Sequence, residues 1–160
     1  MEYSEAYQRT RDIDWFFQSE NRCIHVASDG GILPYFVNDV QRLRNEQAEV
    51  SMLEDKQDVE IVINEPYVNQ RIAAIVESKR RNGYENVNEQ NVRTSYLASF
   101  LAMARKGFYS YDSALSGASA YVLICGPKYP VAIGLQLLEA DNEIFFENDE
   151  KTIFGVNTLY

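Results

Sequence analysis

Two short runs near the start of the chain, IDWFFQ over residues 13 to 18 and RCIHVA over 22 to 27, are rich in aromatic and β-branched residues and separated by the polar Ser19-Glu20-Asn21. That pattern predicts a β-hairpin with Trp15, Phe16 and Phe17 in a core. Beyond Pro34 the period changes: Phe36, Val40, Leu43 and Val50 fall near one helical stripe, with Asn38, Asp39, Arg42 and Glu46 elsewhere around the axis, as in an amphipathic helix. Residues 58 to 63, DVEIVI, set Val59, Ile61 and Ile63 against Asp58, Glu60 and Val62, the alternation of a half-buried strand. A second helix is signalled at both ends. Asn64 can cap it, Pro66 fits its first turn, Val68, Ile72, Ile75 and Val76 make one face, and Asn82-Gly83 stop it. Asn86 and Glu89 stand at capping-box spacing before a third helix, in which Val92, Tyr96, Phe100 and Met103 recur at helical intervals as far as Gly107.

From Tyr121 onward the pattern is that of strands: YVLICG, then VAIGLQLLE after Pro127-Lys128-Tyr129-Pro130, then EIFFE, then KTIFGV after Asn148-Asp149-Glu150. Short connections of this kind join antiparallel neighbours. Strands, then helices, then strands predict an α+β fold: an antiparallel sheet, made of an N-terminal hairpin plus a C-terminal β-meander, packed against about three helices on one face. No repeat or linker divides the chain, so residues 1–160 are expected to form a single domain, ordered apart from a few residues at the N-terminus.

Composition narrows the class. At 160 residues, with 46% apolar and 24% charged side chains, folding buries roughly 70% of the extended chain's surface, enough for a core held by packing alone. Apolar runs such as Tyr121 to Cys125 are far shorter than a membrane span requires, and MEYSEAYQRTRD carries no apolar core of a secretory signal. A cytoplasmic protein with two reduced cysteines and no membrane association is expected. The net charge of -9 opposes the counterion-releasing contacts of a nucleic-acid binder and suits a basic protein partner. Residues 113 to 160, with 2 basic and 6 acidic side chains, are the more acidic part per residue.

The candidate chemistry centres on RCIHVASDGGILP, residues 22 to 34, which holds the chain's single histidine. Alternation puts Cys23, His25 and Ala27 on one face of a strand and Ile24 and Val26 on the other. The strand then gives way to Ser28-Asp29-Gly30-Gly31, where glycine lets a ligand approach the main chain. A catalytic reading makes His25 a general base, oriented by Asp29 or a more distant carboxylate and acting on water, Ser28 or Cys23. Geometry opposes it: Ser28 lies on the other face, Cys23 about 7 Å away by strand rise, and no GxSxG elbow is present. The competing reading is a histidine packed in the sheet with its ring nitrogens hydrogen-bonded.

Phe108-Tyr109-Ser110-Tyr111-Asp112, directly after a helix stop, could line a groove or pack at a core edge. The sequence therefore nominates Ser28, Gly30, Gly31, Tyr109, Tyr111 and Asp112 for ligand binding, with the loop after His25 bordering the principal pocket. On that reading His25→Ala costs less than about 1 kcal/mol of stability. The residues SALSGASA, 113 to 120, read as a surface loop. Ligand spacings of zinc sites are absent, the stretch EADNEIFFENDE departs from the calcium-loop order, and Gly30-Gly31 matches no phosphate loop. Lys79-Arg80-Arg81 and Arg105-Lys106 fall in last helical turns, where cations meet the helix dipole favourably. No metal and no cofactor are expected. The leading expectation is a non-enzymatic binding protein that uses an acidic, tyrosine-bearing surface. The alternative is a small hydrolase-like enzyme with its site around His25 and Asp29.

Overall fold

The computed structural model describes residues 1–113 and 121–140. Their elements run α1 (Glu5–Arg9), β1 (Asp14–Ser19), β2 (Arg22–Ala27), α2 (Val40–Ser51), β3 (Ile61–Ile63), α3 (Glu65–Arg81), α4 (Glu89–Arg105), β4 (Tyr109–Ser113) and β5 (Tyr121–Pro127). The five strands form one sheet in the order β1-β2-β4-β5-β3. All neighbours are antiparallel except β2 and β4, which run parallel with His25 beside Ser110. The fold is thus mixed α+β, mostly antiparallel, with three long helices and one short one.

The predicted elements with strong end signals form where the chemistry places them. Asn64 Oδ1 accepts the Tyr67 N–H at 3.4 Å, Pro66 sits in the first turn, and Gly83 follows the Asn82 cap at φ +88. The third long helix starts later than Asn86 suggests, because Asn88 accepts the Asn91 N–H at 3.0 Å and becomes the cap. Two elements differ in kind from the sequence reading. Residues 109–113 are a central strand, and VAIGLQLLE is not a strand of a meander: it carries one isolated bridge, Gln18 to Glu139. Gly134 there adopts φ +80, which breaks an extended run, while Ile133 and Leu137 are buried against Phe16, Cys23 and Phe108. The predicted strands EIFFE and KTIFGV lie outside the described residues.

Both faces of the sheet are covered, so the expectation of helices on one face holds only in part. On one face Trp15, Phe17, Ile24, Val26, Tyr109, Tyr111, Tyr121 and Leu123 form a cluster closed by Leu33, Val37 and Leu43. On the other, Ala27, Val122, Ile124 and Cys125 meet Val68, Ile72 and Val76 of α3 and Leu97, Phe100 and Ala104 of α4. A register shift between Ser110 and Tyr111 lets consecutive Ile124 and Cys125 both join the helical side. Helix α2 contributes Leu43 to one cluster and Val50 to another, and its Gln47 donates to the Asp14 carbonyl at 2.8 Å. It therefore lies along the β1 edge. The N-terminus, expected to be loose, is built in: α1 is capped by Ser4, and the Val40 N–H reaches the Met1 carbonyl at 2.9 Å.

Candidate functional site

Burial on both faces changes what His25 can be. All six residues of β2 are buried, and His25 itself is 1% exposed. Its side chain lies on the helical face between Phe16, 5.5 Å away by ring centroids, and Phe100 of α4, at 6.4 Å. Both ring nitrogens are bonded to side chains. Nε2 is 2.8 Å from Asp14 Oδ1, and Nδ1 is 2.5 Å from Ser110 Oγ. An ionised carboxylate cannot donate, so the proton on this edge belongs to Nε2, and Nδ1 accepts the Ser110 hydroxyl proton. Three adjacent strands thus supply an Asp14–His25–Ser110 chain in which each side chain occupies the same face.

The connectivity resembles the acid–histidine–serine relay of acyl-transfer enzymes, but the geometry runs the other way. In that relay the serine meets substrate and hydrogen-bonds Nε2, while a buried acid orients Nδ1. Here Ser110 is 0% exposed, whereas the Asp14 side chain is 46% exposed. The only end of this chain that meets water is the carboxylate.

Asp29, the partner nominated from sequence, belongs to a second network a few ångströms along the sheet. Its Oδ2 accepts from Arg71 Nη2 at 3.3 Å and from Ser113 Oγ at 3.2 Å. Arg71 of α3 also lies 4.0 Å from Asp112, whose Oδ2 accepts the Tyr96 hydroxyl at 2.7 Å and whose Oδ1 accepts the Ser113 N–H. Burial raises the Asp112 pKa, opposed by the Tyr96 bond and by Arg71, and burial beside Asp112 raises that of Tyr96. Asp12 joins at the rim by accepting the Asp29 N–H at 2.8 Å, and its pKa is raised chiefly by partial burial and by Asp14 and Asp29 nearby. All of this gathers at the C-terminal ends of the parallel pair β2 and β4, the edge of a sheet where loops are free to build sites.

The other nominated residues separate. Ser28 is fully buried and its Oγ accepts the Ile13 N–H at 2.7 Å. A Cβ on Gly30 would lie 3.0 Å from the Arg9 carbonyl oxygen and one on Gly31 2.9 Å from that of Ser28, so the close approach these glycines permit is filled by the chain's own backbone. Tyr109 and Tyr111 point to the face opposite Ser110 and Asp112, so the segment does not present one wall. A shallow groove of about 280 Å³ runs along α3 past Arg71, Ala74, Ile75, Ser78 and Lys79, and reaches this region through Arg71 alone.

Asp14, Ser110, Arg71 and Tyr96 were not singled out from sequence as site residues. The signal for Ser110 was present: Tyr109-Ser110-Tyr111-Asp112 alternates with period two, as a strand does. Asp14 has the parity that places it diagonally from His25 across the hairpin, whose register pairs Phe16 with His25. Arg71 had no local signal, since its partners are distant in sequence.

Among the described residues no group of three or more His, Cys, Asp or Glu side chains converges to hold a metal ion, and no helix is long and apolar enough to cross a membrane. Both cysteines are free thiols, and burial pushes Cys125 up to about 12. Comparison with protein-family models, with curated proteins and with solved structures gives no match.

Proposed function

We propose that this chain is a non-catalytic binding domain that grips a lysine- or arginine-rich segment of a protein partner at the carboxylate rim Asp12, Asp14 and Asp29. The observation that carries the reading is the direction of the Asp14–His25–Ser110 chain, whose nucleophile-like end is sealed and whose solvent end is an acceptor. An exposed carboxylate attracts a cation; an enclosed serine reaches no substrate. The rim is flanked by side chains suited to contact area. Tyr7 on α1 is 41% exposed, and Ile32 and Tyr35 in the loop after Asp29 are 40% and 89% exposed. The Gly30 N–H bonds to the Arg11 carbonyl and the Leu33 N–H to Gln8 Oε1, which ties that loop to α1. The overall charge of -9 favours the same class of partner.

Titration of the full chain with an octa-arginine peptide tests the reading. The expected result is saturable binding that weakens with salt and falls at least about tenfold in Asp12→Asn/Asp29→Asn, a pair that keeps its hydrogen-bond acceptors while losing two charges. Binding that is absent at low salt, or unchanged in the double variant, contradicts it. The second reading is the hydrolase-like enzyme, favoured by the short His25–Ser110 contact; it requires the α4 side of the sheet to open and admit substrate to Ser110.

A further inference from the structure

The two edges of the sheet are finished differently. Along β1 the outer backbone is covered: Gln47 of α2 donates to the Asp14 carbonyl, the Gln18 N–H reaches the Leu138 carbonyl at 2.7 Å, and the Ala140 N–H reaches the Gln18 carbonyl at 2.9 Å. Along β3 nothing comparable occurs among the described residues. The Lys128 N–H bonds to the Glu60 carbonyl and the Asn64 N–H to the Ile124 carbonyl, so residues 60, 62 and 64 turn their backbone groups toward β5. Antiparallel alternation then turns the N–H and C=O of Ile61 and Ile63 outward. Among the described residues no backbone or side-chain group meets them. The side chains of Ile61, Val62 and Ile63 are each only half-buried. No proline interrupts the strand and no bulge twists it away, so it carries few of the devices that keep an edge from pairing.

We infer that this edge pairs with the β3 edge of a second copy of the chain, antiparallel and about a two-fold axis through Val62. In that register Ile61 faces Ile63 of the other copy in both directions, forming two hydrogen-bonded pairs, and Val62 faces its own counterpart in the closely spaced non-hydrogen-bonded position. The pattern is self-complementary. Ile61 and Ile63 side with the helical cluster and Val62 with the opposite one, so apolar β-branched side chains meet their like on both faces. Charge agrees with it. The Glu60–Lys128 pair of one copy comes to the Glu65–Arg93 end of the other, with Glu60 opposite Asn64 rather than opposite another carboxylate. The strand is three residues long, so the dimer is weak and depends on concentration. This inference is independent of the basic-partner reading, since the carboxylate rim lies at the β1–β2 side of the sheet, opposite the β3 edge.

The test is sedimentation of the full chain over a concentration series, with Ile61→Pro and Ile61→Ala compared. Proline is tolerated where an edge N–H faces outward. It removes an intermolecular donor, whereas alanine removes only side-chain area. The expected result is a monomer–dimer equilibrium up to about 1 mM, weakened at least about tenfold more by proline than by alanine. A second measurement needs no substitution: a mixed-label sample should show a contact between the Val62 Hα of one copy and that of the other, with the Ile61 and Ile63 amides protected from exchange only at high concentration. A monomer at every concentration overturns the inference. So does a dimer insensitive to the proline and lacking the Val62 contact, or protection of these amides that is independent of concentration, as pairing within one chain would give.

Discussion

Two polar networks sit side by side on the helical face of the sheet; each meets water through one aspartate, and they differ in what is held at the buried end. The Asp14–His25–Ser110 chain runs inward from an exposed carboxylate to a hydroxyl enclosed by the sheet, with Phe16 and Phe100 on the histidine. The Asp29–Arg71–Asp112–Tyr96 network likewise starts at a half-exposed carboxylate, Asp29, but ends at a buried one, Asp112, braced by Arg71 and Tyr96. Residue types that look catalytic in the first, and like a surface ion pair in the second, share one physical role: they satisfy polar groups where the sheet is covered on both sides. Accessibility, and not the identity of the residues, separates a relay from a brace.

The largest effect should come from removing the aromatic seal. Phe100→Ala is expected to cost about 3–5 kcal/mol, read from the urea midpoint, because it deletes a buried ring and leaves a cavity beside His25. His25→Ala comes next at about 2–4 kcal/mol, since it opens space and strands the Ser110 hydroxyl. The value below about 1 kcal/mol that a pocket-bordering histidine implies would show the chain to be looser than its geometry. Glu46 of α2 calibrates both networks as a buried carboxylate with weak support: burial lifts it to about 6, and its nearest cation, Arg42, is 3.7 Å away. Its folded pKa exceeds the ordinary 4.5, so its contribution favours folding at low pH and is lost as pH rises through about 6. Glu46→Gln should raise stability at pH 7 by up to about 2 kcal/mol and flatten the profile between pH 4.5 and 6, measured by thermal melts across that range.

The smaller effects belong to the second network. Tyr96→Phe removes one bond to Asp112 while Ser113 and Arg71 remain, and should cost about 1–2 kcal/mol. Asp29→Asn, at the exposed end, should change stability by less than about 1 kcal/mol. A reversal of order between Tyr96→Phe and Asp29→Asn in a denaturant series would place the support of that network at the surface.

The long helices and the hairpin were legible because their signals are local: caps, a stop at Asn82-Gly83, and a period that changes after Pro34. The parallel pairing of β2 with β4 was not legible, since those strands are separated by one strand and three helices, and nothing local records who lies beside whom. That single long-range pairing brings Ser110 to His25. Read as a groove wall or as core-edge packing after a helix stop, Tyr109 to Asp112 concealed it, although the alternation of tyrosines with Ser110 and Asp112 marks a strand that sends its aromatics to one face and its polar groups to the other. The sequence nominates the region around Asp29 because glycines follow the strand. Its partner Arg71 emerged only from the packing of α3 over the strand ends.

Ser110 is enclosed, and the proposal that this end of the sheet binds rather than cleaves rests on that enclosure. Intact-mass analysis after incubating the folded full chain with a fluorophosphonate, which labels activated serines, tests it most directly. No adduct on Ser110 is expected under native conditions, in the wild type as in His25→Ala. Stoichiometric labelling of Ser110 in the wild type, abolished in the His25 variant, would contradict it and establish the Asp14–His25–Ser110 chain as a working relay.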